Sequence, residues 1–507
     1  MPRNDEHRPS DPSPPSPSAG DPERKTDFSL YFLLLVTVGF FVARIPVLLV
    51  RDFDPDEFEH AHAAWCVFRG MIPYKDFFEH HTPFYYYLLS PFFHWFQVDL
   101  SFESARHFLL FGRGLSLLLT ILSVLIVYRI GCLWQNRKVG LLAALFLVGQ
   151  PVFFQKTMEI RPDVLALPFF LGGLWFLLRG LGRSQAGRSL RDFFGGGLGL
   201  GAAIMCTQKM LFVLPGLFAG LGLWLLFAKT KAGARARIGS VAIFILGLAV
   251  PCAVTWAAFT LKHAGGELIA NNFLLNARWN VVVHQQLLRT LASSWPVLLL
   301  CLLGATVWLY RFVRSTERPY GGVLLLGILL GLVAGILVVP VAHRQYYLMP
   351  LPIACLFAAL ELAFLVERAK ERARPPLLVL ATLPLLVLPI LGLREGFMKR
   401  NDRQLLGLRY VLASTNPTDI VMDGWQGMGV FRPHAFHYYF LHEELLPMLP
   451  PEQVSAFVDA LENGKVRPRL IAMDQNLTAL GSRFVRFVRQ NYRSNNRFFY
   501  VSRRRPP

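Results

Sequence analysis

The chain has 507 residues, 53% of them hydrophobic, and a net charge of +19; its mean hydropathy of +0.40 excludes an ordinary soluble protein of this length. The apolar residues gather in runs of about 20, the length that crosses a hydrocarbon core as a helix, and do not alternate with polar ones, which excludes a membrane barrel. The Lys and Arg excess lies in short segments between these runs, which argues for membrane orientation and against nucleic-acid binding.

Residues 1–27 are polar and rich in Pro and Ser and predict a disordered cytoplasmic N-terminus. Arg24 and Lys25 precede a long apolar run without a small-residue cleavage site, which predicts an uncleaved first span. Hydropathy predicts about eleven spans, near residues 28–50, 106–128, 139–156, 163–180, 193–208, 209–228, 237–260, 291–310, 321–340, 345–366 and 376–393. Basic clusters follow every even span, among them Arg129, Arg137 and Lys138 after the second and Arg368, Lys370 and Arg372 after the tenth. These loops are therefore expected in the cytoplasm. The opposite face then receives residues 51–105, the turns near 159–163, 208–209 and 343–347, and the tail 394–507. The apolar stretch 84–96 is expected to lie in the interface, because a further span there would invert every later loop. The six cysteines show no paired spacing and read as small buried hydrophobes. The tail combines strand-like DIVMDG and RLIAMD with the amphipathic helix PEQVSAFVDALENGK. It predicts a small extracytoplasmic α/β domain beside an all-α membrane domain over 28–393.

The segment RDFDPDEFEHAHAAW, Arg51 to Trp65, crowds five acids and two histidines at the end of the first span. An acid cluster is usually a solvated loop. Here MIPYKDFFEHHTPFYYYLLSPFF, Met71 to Phe93, follows it, dense in aromatics and prolines. That pattern suggests a folded structure resting on the membrane, where carboxylates have altered proton affinity and suit a general base.

The order DPDE, PYKD, HTPFYYY and SARHFLLFGRG, followed by EIRPDVLALPFF, TQKMLFVLPGL and HRQYYLMPLP, resembles the GT-C membrane glycosyltransferases. The similarity is greatest to the branch of protein O-mannosyltransferases, aminoarabinose–lipid A transferases and rhizobial lipopolysaccharide sugar transferases, over roughly residues 28–360. The resemblance implies an inverting transfer of a sugar from a polyprenyl-phosphate carrier to an acceptor hydroxyl at the outer membrane face. The acceptor would be a glycolipid, polysaccharide or protein, and a bacterial inner membrane is the expected location. It implies Asp56 as the general base, with Glu57 beside it, Asp54 able to do the same work, and Asp163 at a second acidic position. The alternative for Asp163 is an acid favoured by a helix N-terminus.

A leaving phosphate needs cations. Arg106, Arg161, Lys209 and Arg344 stand at predicted outer ends of spans, where charge near lipid is costly and serves function, pairing or headgroup contact. No cofactor is required by this chemistry. Glu79, His80 and His81 raise a divalent metal as an additional expectation. A polytopic transporter or flippase of a lipid-linked sugar is the competing reading. It would keep charge near mid-membrane, whereas here charge gathers at one face.

Overall fold

The computed structural model describes residues 28–182, 186–228, 233–278, 285–315, 319–339, 342–373, 383, 387, 390–442, 444–495 and 498–503. The predicted disordered residues 1–27 and most of the predicted span 376–393 lie outside them. The membrane domain is built from α1 (Phe28–Val50), α2 (Pro55–Phe68), α3 (Phe102–Trp134), α4 (Arg137–Val148), α5 (Pro151–Lys156), α6 (Pro162–Gly182), α7 (Ala186–Cys206), α8 (Val213–Phe227), α9 (Ala234–Leu261), α10 (Gln285–Arg314), α11 (Tyr320–Val338) and α12 (Pro350–Arg368). Among the described residues, seven helices are long and apolar enough to cross a membrane. The predicted span 139–156 is instead two short helices, α4 of 12 residues and α5 of 6. Pro151 cannot supply the amide that would continue α4, and α4 is buried from Val139 to Val148. The stretch 84–96 forms short helical pieces, as expected of a segment that does not span.

Small residues set the helix spacing. Adding a Cβ at Gly216 on α8 would collide with the carbonyl of Gly327 on α11, so these helices approach backbone to backbone, the usual device between membrane helices. Helices α6, α7 and α9 pack side by side, as do α10 and α12.

The C-terminal domain carries a four-stranded sheet in the order β1-β2-β4-β3, formed by β1 (Val421–Asp423), β2 (Leu470–Ala472), β3 (Tyr492–Ser494) and β4 (Phe499–Ser502). β1 and β2 are parallel, with Met422 opposite Ile471, and the other pairings are antiparallel. Helices α13 (Asp402–Ser414), α14 (Pro451–Glu462) and α15 (Ser482–Asn491) accompany it. The buried Phe457, Val458, Phe484 and Val488 of α14 and α15 cluster with Met422 and Ile471 of the sheet. The domain is fastened to the segments that precede α3 and α2: Arg432 donates to the carbonyl of Asp99 at 3.1 Å, and Gln404 exchanges two hydrogen bonds of 2.7 Å with the backbone of Phe53.

Candidate active site

Helix α2 begins with a capping box. The Asp54 carboxylate accepts from the Asp56 amide at 3.2 Å, and the Glu57 carboxylate returns to the Asp54 amide at 2.9 Å, satisfying donors a helix start leaves open. Pro55 occupies the first turn, where its fixed φ fits and its missing N–H is no loss. Local chemistry therefore accounts for Asp54 and part of Glu57.

Glu57 is fully buried and held bidentately by Arg113 of α3, at 2.7 and 2.9 Å. The same guanidinium donates to the carbonyls of Leu48, Arg51 and Asp52. It thus ties the end of α1 and the start of α2 to α3. Glu57 belongs to this anchor and does not line the cavity described next.

Asp54 and Asp56 turn the other way. Arg161, only 1% exposed, donates to Asp56 at 2.7 Å, to Asp54 at 3.4 Å and to Glu159 at 3.0 Å. Lys156 reaches Asp54 at 2.7 Å and Glu159 at 3.0 Å, and Arg51 reaches Glu159 at 3.1 Å. Three carboxylates and three cations thus share one buried network. Burial alone would raise the Asp56 carboxyl, but the Arg161 and Lys156 charges hold it well below the usual carboxylate range. Asp54 is lowered as well: burial pushes its carboxyl up, and the Lys156 and Arg161 charges with the Lys156 hydrogen bond together outweigh that.

A cavity of about 730 Å³ opens over these acids. Asp54, Asp56 and Lys156 line it together with Lys209, Arg344, His343 and Gln208. Leu211, Phe212, Val338 and Val339 make an apolar flank, while Trp425, Phe440, His442 and Glu444 come from the C-terminal domain. Lys209 is fixed by Asp163 at 3.0 and 3.2 Å and lies 4.6 Å over the Tyr346 ring. Arg344 donates to the Gln155 side chain at 2.8 Å.

Beside this cavity, Glu59, Glu79, His80 and His81 bring one ligand atom each within 4.8 Å of one another. His81 Nδ1 stands 2.9 Å from Glu79. Burial, with Glu79 adding to it, raises the Glu59 carboxyl well above its ordinary value, and burial lowers His81 to about 3. Two carboxylates and two imidazoles fit the nitrogen and oxygen ligand set of zinc.

Of the predicted site residues, Asp54, Asp56, Lys209, Arg344, His80 and His81 line the cavity. Asp163, Arg161 and Glu79 stand behind it, each holding a residue that does line it. Arg106 does not join them: it pairs with Glu103 at 3.6 Å on α3, with its side chain 40% exposed. Sequence reasoning missed Lys156, Glu59, Arg113 and the C-terminal residues. Lys156 ends a predicted span on the outer side, the criterion that selected Lys209, and Glu59 lies one helical turn beyond Asp56.

Residues 80–256 match the family model of dolichyl-phosphate-mannose-protein mannosyltransferases. No curated protein matches in sequence. Solved structures share the fold, among them the following. ArnT from Cupriavidus metallidurans bound to undecaprenyl phosphate aligns with a TM-score of 0.62 at 11% identity, covering 94% of this chain and 98% of that one. The Archaeoglobus fulgidus oligosaccharyltransferase AglB, in complex with an inhibitory peptide and a dolichol-phosphate, aligns with a TM-score of 0.59 at 13% identity, covering 94% and 75%. The A. fulgidus oligosaccharyltransferase complexed with Zn and sulfate aligns at 0.56 and 13% identity, covering 87% and 68%. The family match over residues 80–256 and the shared fold point the same way as the resemblance carried by the sequence motifs.

Proposed function

We propose that this GT-C protein moves a sugar from a polyprenyl-phosphate carrier to an acceptor hydroxyl, with inversion at the anomeric carbon and Asp56 as the base. The observation that carries this reading is one cavity lined by a pair of carboxylates, by Lys209 and Arg344 and by an apolar flank. On that flank Val338 is 76% exposed and Leu211 36%. An isoprenoid tail would lie along it, with its phosphate between Lys209 and Arg344. The family match to dolichyl-phosphate-mannose enzymes and the undecaprenyl phosphate bound by ArnT support such a donor.

In the proposed reaction the acceptor oxygen bonds to the anomeric carbon as the bond from that carbon to the phosphate oxygen breaks. The electron pair leaves on the phosphate, where Lys209 and Arg344 stabilise it. The acceptor proton passes to Asp56. The depressed pKa makes Asp56 a weak base but keeps it ionised. That suffices where the hydroxyl loses its proton late, after bond formation has made it acidic. Asp163 sets the position of Lys209, and Arg161 that of Asp56. Glu59, Glu79, His80 and His81 would hold a divalent ion, whose positive charge would offset two buried carboxylates beside the site. The distribution of basic loops supports a site on the extracytoplasmic face, and the resemblance to the same branch supports a bacterial inner membrane.

The test is sugar transfer in proteoliposomes with a panel of polyprenyl-phosphate sugars. Wild type is expected to release free polyprenyl phosphate from one donor class, and Asp56→Asn to lose roughly 10²–10⁴-fold in rate while still binding the carrier. Movement of the lipid across the bilayer without release would sink the transferase reading in favour of a transporter.

A further inference from the structure

We propose that the C-terminal domain supplies the acceptor subsite, and that the acceptor is a sugar unit lying on the face of Trp425. This rests on the transferase reading above and names the acceptor class it leaves open. The cavity has two unlike sides. Its apolar flank, Leu211, Phe212, Val338 and Val339, belongs to the membrane helices and their ends. Trp425, Phe440, His442 and Glu444 come from the C-terminal domain. A lipid-borne donor uses the first side, which leaves the second for the acceptor.

The fold holds Trp425 stiffly. Asp423 and Asp474 end or follow the adjacent parallel strands β1 and β2. Asp474 accepts the Trp425 amide at 2.9 Å, and Asp423 accepts the amides of Gly427 and Gly429 at 3.2 and 2.7 Å. Gly427 has φ +71°, a conformation glycine adopts without strain. Phe440 stands edge-on to the indole at 5.7 Å and 90°. The Trp425 Nε1–H is buried and has no hydrogen-bond partner among the described residues.

An aromatic face carries negative charge density and attracts polarised C–H groups, such as those on one face of a pyranose. The hydroxyls at the pyranose rim then need polar partners. Glu444 provides one, held 2.9 Å from His442 and 3.5 Å from His343. His343 in turn is close enough to Asp56 to lower its pKa. A sugar on Trp425 therefore has polar groups at its rim, with Asp56 in the same cavity. A peptide captured as an added strand would need a free sheet edge. At β1 that edge is already occupied: the Val421 amide donates to Pro433, and Val421 bridges His434.

The test uses saturation-transfer NMR on the full chain in lipid nanodiscs. The probes are methyl α-pyranosides of glucose, mannose and galactose, and a threonine-containing tripeptide. At least one pyranoside is expected to bind wild type through the protons of one ring face. Trp425→Ala should weaken that binding by about tenfold or more, and Trp425→Phe should keep it within roughly threefold. Undecaprenyl phosphate binding, unchanged in both variants, reports that they are folded. No pyranoside signal with wild type, wild-type binding by Trp425→Ala, or a signal from the tripeptide alone would overturn the proposal. Failure of the transferase reading registers separately, as no polyprenyl phosphate released from any donor while pyranoside binding persists.

Discussion

Replacing Arg161 with Met tests how the site holds Asp56 ionised. Arg161 is buried and reaches three carboxylates, the nearest being Asp56 at 2.7 Å. The network balances Asp54, Asp56 and Glu159 against Arg51, Lys156 and Arg161, so the variant strands one negative charge. Breaking a buried pair costs ~3–5 kcal/mol. Losing those ~3–5 kcal/mol from the ionised form of Asp56 moves its titration up by roughly two to four pH units, and the upper end of that shift brings it into the acid end of the assayed range. The sign follows from the depressed folded-state pKa: what the ionised carboxylate contributes is present above that value and lost as pH falls through it. In wild type this window lies below the ordinary carboxylate value of ~3.9. In Arg161→Met burial pushes the carboxyl up, with Lys156 and His343 left to oppose it. The assay is the rate of polyprenyl phosphate release between about pH 4 and 8. Wild type should show no acid limb from Asp56 in this range. The variant should lose activity toward the acid end and recover it toward the alkaline end. A folded variant whose acid limb superimposes on that of wild type would refute the argument. So would a loss independent of pH, which would place Arg161 on the phosphate instead.

Lys209→Met should raise the donor KM by roughly 10–100-fold, the loss of a charge-assisted phosphate contact, measured by initial rates over a donor titration. Glu57→Gln leaves the Arg113 guanidinium buried against a neutral partner and should cost ~3–5 kcal/mol of stability. Thermal melts in detergent would show it, and an unchanged melting temperature would mean that Glu57 is no anchor. Elemental analysis of protein purified without chelator should find about one divalent ion per chain, lost in Glu59→Gln with His81→Ala; equal metal in both proteins would remove that site.

The membrane architecture was legible because its determinants are one-dimensional: run length, and the placement of Lys and Arg between runs. Reading 139–156 as one span failed because hydropathy averages over Pro151, whereas a helix cannot. The acids of α2 show a harder limit. Asp54, Asp56, Glu57 and Glu59 are near-equivalent in sequence, yet each has a different part. Asp54 caps the helix, Glu57 turns to Arg113, Asp56 meets Arg161, and Glu59 joins Glu79 and the two histidines. Helical periodicity separates Glu57 from Asp56 only once the partners are known, and those partners lie 56 and 105 residues away along the chain. Arg106 illustrates the converse. It stands at the right end of a span, but its side chain is spent on Glu103 one turn earlier in α3. Trp425 had no sequence signal, since DGWQGMG reads as an ordinary strand-to-loop turn. It lines the same cavity as the acids because β1 and β2 are parallel and Asp423 at the end of β1 and Asp474 just after β2 organise the loop that carries it. The charge at the mouth of the first span is thus two things at once: a fold-building pair in Glu57 and Arg113, and a chemical pair in Asp56 and Arg161. Their different depths of burial keep them apart, so neutralising Glu57 should destabilise the protein while neutralising Asp56 should silence it.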